Sequence, residues 1–206
     1  MRIIAIGCEY TGVTTLLDNL MAWGHERGIH HHLDDHFTIP DSRNLSSEDQ
    51  MVMTNLSPIL KERFQRMQIG YHLRLMHRYD HILLGGFHIE EMIYGSLYYY
   101  PGIVVNETRK YEAEMPEDTI LVHLTARPDV IQTRMETNPH RYTVIKKEDI
   151  PMLLDRFRQE FRVSWIKHKI EIDTSDLIPN QLLQTFLDRS LLHVNTRDML
   201  MRLAER

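Results

Sequence analysis

The chain begins with Met1-Arg-Ile-Ile-Ala-Ile-Gly-Cys-Glu-Tyr-Thr-Gly-Val-Thr-Thr15, and its architecture follows from these residues. The apolar run from Ile3 to Ile6 is short and rich in β-branched residues, which is typical of a strand buried on both faces of a parallel sheet. Gly7 ends this run, and after Gly12 the apolar residues recur at helical spacing. A strand, a glycine-bounded loop and a helix are the context of a phosphate-binding loop. Such a loop points successive backbone N–H groups and the positive end of the helix at an anion.

The loop matches the P-loop pattern G-x-x-x-x-G-K-[ST] from Gly7 to Thr14, except that Val13 replaces the lysine. Thr14 is predicted to place its hydroxyl on Mg²⁺, and Thr15 follows as a second hydroxyl. An ordinary strand, turn and helix that open a doubly wound domain without a ligand are the alternative. The predicted cofactor-binding residues are Gly7, Cys8, Glu9, Tyr10, Thr11, Gly12, Val13, Thr14 and Thr15.

Length and composition indicate one domain, residues 1–206. Hydrophobic residues make up 42% of the 206 residues and charged residues 26%, which is enough apolar material for a full core in water. No run of about 18 apolar residues is present, so we expect no membrane partner and a cytoplasmic protein. The formal net charge of −5 argues against a general nucleic-acid binder, whereas a small anionic ligand needs only a local positive pocket. The single cysteine, Cys8, excludes an intramolecular disulfide.

The rest of the chain alternates between apolar runs and helical patterns. This alternation predicts a three-layer α/β/α domain with a five-stranded parallel sheet. The predicted strands are residues 3–6, 29–33, 80–84, 119–124 and 170–172. One helix is predicted to start after Gly12 and another at Pro128. Further helices are predicted over about residues 56–79, 90–99 and 150–165, and the last helix is predicted to run from Pro179 towards Leu203.

In this order and spacing the chain resembles the P-loop nucleoside and nucleotide kinases, especially the thymidylate kinase and deoxynucleoside kinase branch. The resemblance covers nearly the whole length. Residues 85–94 align with the family's D-R-[YS]-x-x-S-x-x-A-Y, residues 115–124 with its P-D-L strand, and residues 126–129 with its P-E-x turn. Arg134 aligns with the arginine of the lid helix, residues 150–154 with the helix after the lid, and residues 172–175 with the last strand.

The resemblance implies the P-loop NTPase fold and an ATP- and Mg²⁺-dependent phosphotransferase. The implied acceptor is a nucleoside, a nucleoside monophosphate or a similarly small hydroxylated metabolite. The chain departs from the family pattern at two places where the chemistry occurs. Val13 stands in place of the loop lysine, and Gly85 and Gly86 stand in place of the Asp-Arg pair. Phosphoryl transfer depends on positioning and on neutralising phosphate charge, so each loss affects the reacting centre. The alternative is therefore a non-catalytic descendant, such as a nucleotide sensor or a dimeric interaction protein.

Two aspartates follow the second predicted strand, where related kinases carry an acidic residue. Asp35, or else Asp34, is predicted to accept the hydroxyl proton or to hold Mg²⁺ through water. Asp35-His36-Phe37 resembles the uridine kinase type of site, which places Phe37 among the predicted substrate-binding residues. The alternative for both aspartates is a solvated strand end or a helix cap.

Cationic residues around the predicted lid, residues 134–147, are the next candidates. Arg134 and Arg141 are predicted to close over the transferring phosphoryl group, and Arg141 is the best replacement for the missing lysine charge. Arg66 and Arg74 on the long helix are predicted to hold a phosphate of the acceptor. The alternatives are a solvated basic face for the lid and surface pairing for the helix, for instance of Glu62 with Arg66.

Three further groups have more than one interpretation. Glu90 and Glu91 either supply the carboxylate that is missing at Gly85 or are two exposed charges at a helix start. The run from His30 to His32 alternates between the faces of a strand, so we expect no metal site there. Residues 98–100, three tyrosines, either stack on a base or pack in an interface or loop. A homodimer is one option, and a third and weaker function is an oligomerisation module that uses the three tyrosines and the last helix.

Overall fold

The structure is a computed structural model that describes residues 1–34, 45–103 and 108–194, together with Met199. Its sheet contains five parallel strands in the order β2-β3-β1-β4-β5. The prediction of a five-stranded parallel sheet is therefore confirmed. The strands are β1 (Arg2–Ile6), β2 (His32–Asp34), β3 (Ile82–Gly85), β4 (Thr119–Thr125) and β5 (His168–Asp173).

Most of the helices also lie close to their predicted positions. They are α1 (Val13–His25), α2 (Ser47–Thr54), α3 (Pro58–Arg78), α4 (Phe87–Tyr94), α5 (Pro128–Thr137), α6 (Ile150–Val163) and α7 (Pro179–Ser190). A π-helical turn, Gly95–Tyr99, continues α4, and 3₁₀ helices occupy Thr108–Glu114 and Lys147–Asp149. The structure differs from the prediction in several places. No helix was predicted over Ser47–Thr54, and α4 starts at Phe87 rather than at residue 90. Strand β2 is three residues long and starts only at His32, and α7 ends at Ser190.

Strand β1 lies at the centre of the sheet, and its side chains divide between two cores. Ile3 and Ala5 pack with helices α1 and α7 on one face, whereas Ile4 and Ile6 pack with α3, α4 and α6 on the other. Alternate side chains of a strand point to opposite faces, so a strand covered on both sides must be apolar throughout. The three-layer α/β/α architecture predicted from the sequence is present.

Helix α3 is confirmed, but most of the apolar residues whose spacing predicted it lie on its outer side. Ile59, Leu60, Phe64, Met67 and Tyr71 are exposed, and only Leu75 of that series is buried. The buried side of α3 consists of Gln65, Ile69, His72, Leu73, Leu75 and Met76. The helix therefore carries apolar residues on two opposite faces, because a helical period identifies a helix without identifying which face meets the core.

Parallel pairing brings the carboxyl ends of the strands to one edge of the sheet. Ala5 of β1 pairs with Gly85 of β3, and Ile6 pairs with His123 of β4. The loop after β1 therefore lies between the start of α4 on one side and the ends of β4 and β5 on the other. Ligands of open α/β sheets bind at this edge.

Candidate phosphate-binding site

The loop from Gly7 to Gly12 is a compact turn that requires glycine at its first position. A Cβ atom at Gly7 would lie 2.5 Å from the Leu124 carbonyl oxygen and closer still to the Thr11 hydroxyl. The Thr11 backbone N–H and its hydroxyl both donate to the Cys8 carbonyl oxygen, at 3.1 and 2.7 Å. The positive φ of 98° at Gly12 is one that a side chain would strain. Close approach and backbone geometry thus account for both glycines of the pattern.

The loop leads directly into the N-terminus of α1. The Gly12 carbonyl oxygen accepts the Leu16 N–H at 2.9 Å, so the backbone N–H groups of the first turn have no partner within the helix. No acidic residue lies in that turn, and Thr14 is exposed. A helix N-terminus carries a partial positive charge, so this end is suited to a phosphate and a hydroxyl-bound metal ion.

Val13, which stands at the lysine position, packs with the core cluster on the α1 side of the sheet. Its Cγ1 atom lies 3.7 Å from the place where a Cβ atom of Gly85 would be. The lysine of the pattern and the aspartate expected at Gly85 would therefore have been neighbours. The two departures from the kinase pattern thus occur at one place in the fold.

Arg134 contacts the backbone of the loop. Its guanidinium donates to the Tyr10 carbonyl oxygen at 2.9 Å, to the Thr174 hydroxyl at 3.1 Å and to the Thr174 carbonyl oxygen at 2.7 Å. The Thr174 hydroxyl in turn donates to the Thr11 carbonyl oxygen at 2.8 Å. Partial burial lowers the pKa of Arg134. Arg134 thus connects the loop to the end of β5, and its predicted role as a lid cation stays a prediction.

The predicted lid lies against the loop. Tyr10 is buried; its hydroxyl lies 2.7 Å from the Thr143 hydroxyl and accepts the His140 N–H at 2.9 Å. The Tyr10 and His140 rings stack with their centroids 4.0 Å apart. The Val144 N–H donates to the Glu9 carboxyl at 3.1 Å. Residues 138–146, which follow the end of α5, are therefore in contact with two side chains of the P-loop.

Arg141 reaches in the other direction, towards α2. Its guanidinium donates to the Gln50 side-chain oxygen at 3.3 Å, and the Tyr142 hydroxyl donates to the same oxygen at 3.1 Å. Gln50 is buried, and the Arg141 guanidinium lies 5.3 Å from the centre of the Tyr142 ring. The prediction that Arg141 replaces the lysine charge is not tested by these contacts and stays a prediction.

Three carboxyl groups lie on the α4 side of the loop. Burial raises the pKa of Glu9 to about 8 although the Val144 N–H opposes this shift, and Glu90 raises it further. Burial raises the pKa of Glu91 to about 9, with smaller contributions from Glu90 and Glu62. Glu91 is 2% exposed, so the interpretation of Glu90 and Glu91 as two exposed charges is wrong. Glu90, which is half-buried, accepts the Tyr99 hydroxyl at 2.7 Å.

The burial of the Glu9 carboxyl on this side of the loop was not predicted from the sequence. One oxygen of the Glu9 carboxyl and one of Glu91 are buried without a hydrogen-bond partner among the described residues. The available signal was an acidic residue inside a loop that follows a buried strand, without a basic residue between Cys8 and Thr15. Such a carboxyl must be partly desolvated, which favours its neutral form.

The tyrosines and the cysteine near the loop serve packing. Tyr99 and Tyr100 are buried, and the half-buried Tyr98 donates its hydroxyl to Asp149 at 2.7 Å. The prediction that these three tyrosines form an oligomerisation surface is therefore wrong, and the prediction that they pack within the chain is confirmed. Cys8 is 1% exposed and burial raises its pKa to about 12, so the thiol acts as a small buried filler.

The remaining predicted residues are placed as follows. Arg66 forms the expected pair with Glu62 at 3.2 Å, and Arg74 donates to the Gly70 carbonyl oxygen of its own helix at 3.4 Å. Asp34 is the last residue of β2, while Asp35 and Phe37 lie outside the described residues. Within the described part of the chain, histidine, cysteine, aspartate and glutamate form no cluster of three that could hold a metal ion. The roles of these residues in binding stay predictions.

Comparison with known proteins identifies the fold. Neither a protein-family model nor a curated protein sequence matches the chain. The YorR protein of Bacillus subtilis, solved in complex with phosphorylated GDP, is similar at a TM-score of 0.59 and 16% identity over 94% of this chain and 99% of its own. Deoxyadenosine kinase of M. mycoides with bound dATP has a TM-score of 0.59 and 11% identity over 92% and 98% of the two chains.

A third similar structure is a gluconokinase of Sinorhizobium meliloti, with a TM-score of 0.53 and 10% identity over 93% of each chain. These similarities confirm the three-layer P-loop NTPase fold that the resemblance implied. Among the described residues, no helix combines the length and the apolar character needed to span a bilayer.

Proposed function

We propose that this chain, which has the P-loop kinase fold, is an ATP-dependent phosphotransferase. In this proposal the backbone N–H groups between Gly7 and Thr15 hold the donor phosphates. Mg²⁺, bound together with ATP, neutralises charge on the phosphate oxygens, and Thr14 offers it a hydroxyl. The open N-terminus of α1 behind a glycine-shaped loop is the observation that carries the proposal, because it supplies N–H donors and positive potential without an acidic side chain in the first turn.

The side chains around the loop receive the following roles in the proposal. Asp35 or Asp34 acts as the base or as a partner of the metal, and Arg141 supplies positive charge from the lid. Arg134 fixes the loop backbone through Tyr10, so it also sets the direction of the N–H groups. Positioning of this kind accounts for much of catalysis in phosphoryl transfer.

The proposed acceptor is a nucleoside, a nucleoside monophosphate or a similarly small hydroxylated metabolite. The contacts favour an acceptor without its own phosphate. Arg66 is exposed and paired with Glu62, and Arg74 is exposed and bonded to its own helix.

Calorimetry with ATP tests the donor site directly. Wild-type protein should bind ATP more tightly with Mg²⁺ than without it, and Thr14→Ala should weaken the Mg²⁺-dependent binding by about tenfold, or about 1.4 kcal/mol. Thr133→Ala on α5, which removes a hydroxyl bonded to its own helix, is the control. An ATP consumption assay with nucleosides, nucleoside monophosphates and small sugars then identifies the acceptor. Absence of both binding and consumption would overturn the proposal.

A second candidate is a nucleotide-binding protein that has lost turnover. Val13, whose side chain lies next to Gly85, favours this second candidate, because an apolar side chain occupies the place of the lysine. Val13→Lys separates the two candidates. In a decayed kinase the new ammonium should strengthen ATP binding or raise turnover, whereas a working atypical site should gain little. Val13→Met, which keeps the length without the charge, is the matched control.

A further inference from the structure

Two histidine side chains lie together at the end of β5 that is far from the candidate phosphate site. His168 is the first residue of β5, and His193 follows the end of α7. Their ring centroids are 5.1 Å apart, and the ring planes are inclined to each other by 43°. Thr174, which follows the other end of β5, bonds to the P-loop backbone. About 16 Å of strand therefore separate the histidine pair from that loop.

The separation of the two rings is the one expected for imidazoles that share a tetrahedral metal ion. A zinc ion lies about 2.1 Å from an imidazole nitrogen, and that nitrogen lies about 1.1 Å from the centre of its ring. Two imidazoles at the tetrahedral angle on one zinc ion therefore have ring centroids about 5.2 Å apart. Ligands at a right angle, as in square-planar coordination, would bring the centroids to about 4.5 Å. The 5.1 Å separation thus matches tetrahedral zinc.

Other ring pairs of the chain do not have this geometry. Two further histidine pairs have ring centroids 5.7 and 6.2 Å apart. At a shared metal ion these separations would require ligand–metal–ligand angles of about 125° and 150°, which are wider than the tetrahedral angle. The stack of Tyr10 on His140, with a centroid separation of 4.0 Å and an angle of 15°, shows what face-to-face packing looks like in this chain. His168 and His193 are not stacked in that way.

Both imidazoles are half-buried, so their nitrogens are accessible to a metal ion. Within the described part of the chain, neither ring forms a hydrogen bond. Partial burial lowers the pKa of His193, and the neighbouring His168 lowers it further. The neutral imidazole, which is the form that binds metals, is therefore favoured at neutral pH. Because no cluster of three ligands is present among the described residues, water must complete the coordination.

We propose that His168 and His193 together bind one zinc ion, which links the segment after α7 to strand β5. Both histidines are positioned by the fold before a metal arrives. Ile170 and Ile172 anchor β5 in the core, and the His193 N–H donates to the Ser190 carbonyl oxygen at 2.9 Å. Little ordering is therefore needed when the metal binds, and this preorganisation favours affinity. Imidazole ligands also suit nickel and copper, but the ring separation favours tetrahedral zinc.

Calorimetric titration with zinc chloride tests the site. Wild-type protein should bind one zinc ion per chain, and His168→Asn and His193→Asn should each weaken binding at least ~10-fold, since even a residue behind a zinc ligand is worth about 10–100-fold. His30→Asn, at an exposed histidine of the pair with a 6.2 Å separation, is the matched control and should bind as wild type. Equal thermal midpoints without zinc show that the variants are folded.

Two results of this titration would overturn the proposal. One is the absence of binding by wild-type protein below ~1 mM zinc. The other is an equal loss in all three variants, which would mean that zinc binds to surface histidines in general. If His168 and His193 bound separate ions, each single variant would keep half of the bound zinc, and this result would also contradict a shared ion.

Hydrogen exchange tests the link between the two segments. Zinc should slow amide exchange over residues 187–194 in wild-type protein, because the ion restrains the end of α7. His168→Asn should abolish this protection although residue 168 lies in β5, on a different segment. Protection that persists in His168→Asn would contradict the link. Neither measurement uses ATP or an acceptor, so zinc binding without kinase activity, or the reverse, separates this inference from the proposed function.

Discussion

The two sides of the loop from Gly7 to Gly12 are held by different chemistry. On the β5 side, the charged guanidinium of Arg134 and the hydroxyl of Thr174 bind backbone oxygens of Tyr10 and Thr11. On the α4 side, the Tyr94 hydroxyl accepts the Glu9 N–H at 3.1 Å, and carboxyl groups with raised pKa values lie nearby. One side therefore carries a fixed positive charge, and the other carries acids that burial keeps largely neutral.

This difference explains how the loop keeps its shape without the lysine of the pattern. The hydrogen bonds that order the loop backbone come from Thr11, Tyr94, Arg134 and Thr174, and none of them involves position 13. The missing charges, at Val13 and Gly85, both fall on the side towards β3 and α4. The loop geometry and the loop charge are thus separable, and four predictions test this separation.

The largest effect is expected at Gly7. Gly7→Ala places a Cβ atom 2.5 Å from the Leu124 carbonyl oxygen, so the loop or β4 must move. We expect a loss of about 3 kcal/mol in the free energy of unfolding, measured by urea denaturation, together with loss of ATP binding. The control is Gly70→Ala in α3, where a Cβ atom meets nothing within 4 Å and alanine should add up to ~1 kcal/mol. Equal effects at the two sites would show that the loop is not tightly packed.

The next effect concerns the β5 side. Arg134→Ala removes three hydrogen bonds from a half-buried guanidinium and leaves the Tyr10 and Thr174 oxygens without that donor. We expect a loss of about 2 kcal/mol in stability and weaker ATP binding. Arg127→Ala is the matched control because Arg127 pairs with Asp176 in solvent, and its thermal midpoint should hardly change. A stable Arg134→Ala that still binds ATP as wild type would remove Arg134 from the loop's support.

The acids of the α4 side should appear in the pH dependence of stability. The pKa of Glu91 is about 9 in the folded protein and about 4.5 when unperturbed, so between these values the folded state holds a proton that the unfolded chain releases. The free energy of unfolding should therefore fall as pH rises through this window. Glu91→Gln should flatten this fall and be more stable than wild type by about 1–2 kcal/mol at pH 9, but not at pH 4.

A matched control for this measurement is Glu114→Gln, at an exposed carboxyl on the 3₁₀ helix Thr108–Glu114. Its stability profile should run parallel to that of wild type across the window. Glu9→Gln should flatten the fall only up to about pH 8, since burial raises the pKa of Glu9 to about 8. A wild-type profile that rises between pH 5 and 9 would contradict the neutral state of these acids.

The smallest effect concerns the contact between the loop and the lid. Tyr10→Phe keeps the stacked ring with His140 but removes the hydroxyl that joins Thr143 and the His140 N–H. We expect a loss of about 1 kcal/mol and faster hydrogen exchange over residues 138–146, with little change elsewhere. Tyr142→Phe, which removes the hydrogen bond to Gln50, tests the α2 contact of the same segment. Unchanged exchange in both variants would mean that neither hydroxyl restrains the segment.

Local patterns predicted most of the fold. The apolar run of β1, the glycines at 7 and 12 and the helical spacing in α1 and α6 correspond to what the structure shows at those positions. Each of these signals depends on residues within one or two turns of each other, so the sequence contains all the information needed. The second strand was placed three residues early, because the histidines before it resemble a strand without belonging to the sheet.

The candidate site was predicted less completely. The glycine-bounded loop is where the sequence placed it, whereas the contacts of Arg134 with Tyr10 and Thr174 join residues more than 35 positions apart along the chain. Glu91 is buried near Glu62 of α3, a residue distant in the chain, so its burial could not follow from its neighbours in sequence. The same is true of the two faces of α3, where periodicity could not distinguish the core side from the exposed side.

By itself, the sequence determined the layers of the fold, the order of its elements and the place of the glycine-bounded loop, because periodicity and glycine positions act over short distances along the chain. Only the tertiary structure decided the charge state of the acids, the partners of the arginines and the exposed side of α3. These depend on which distant segments exclude water from a side chain, and desolvation is a property of the assembled core.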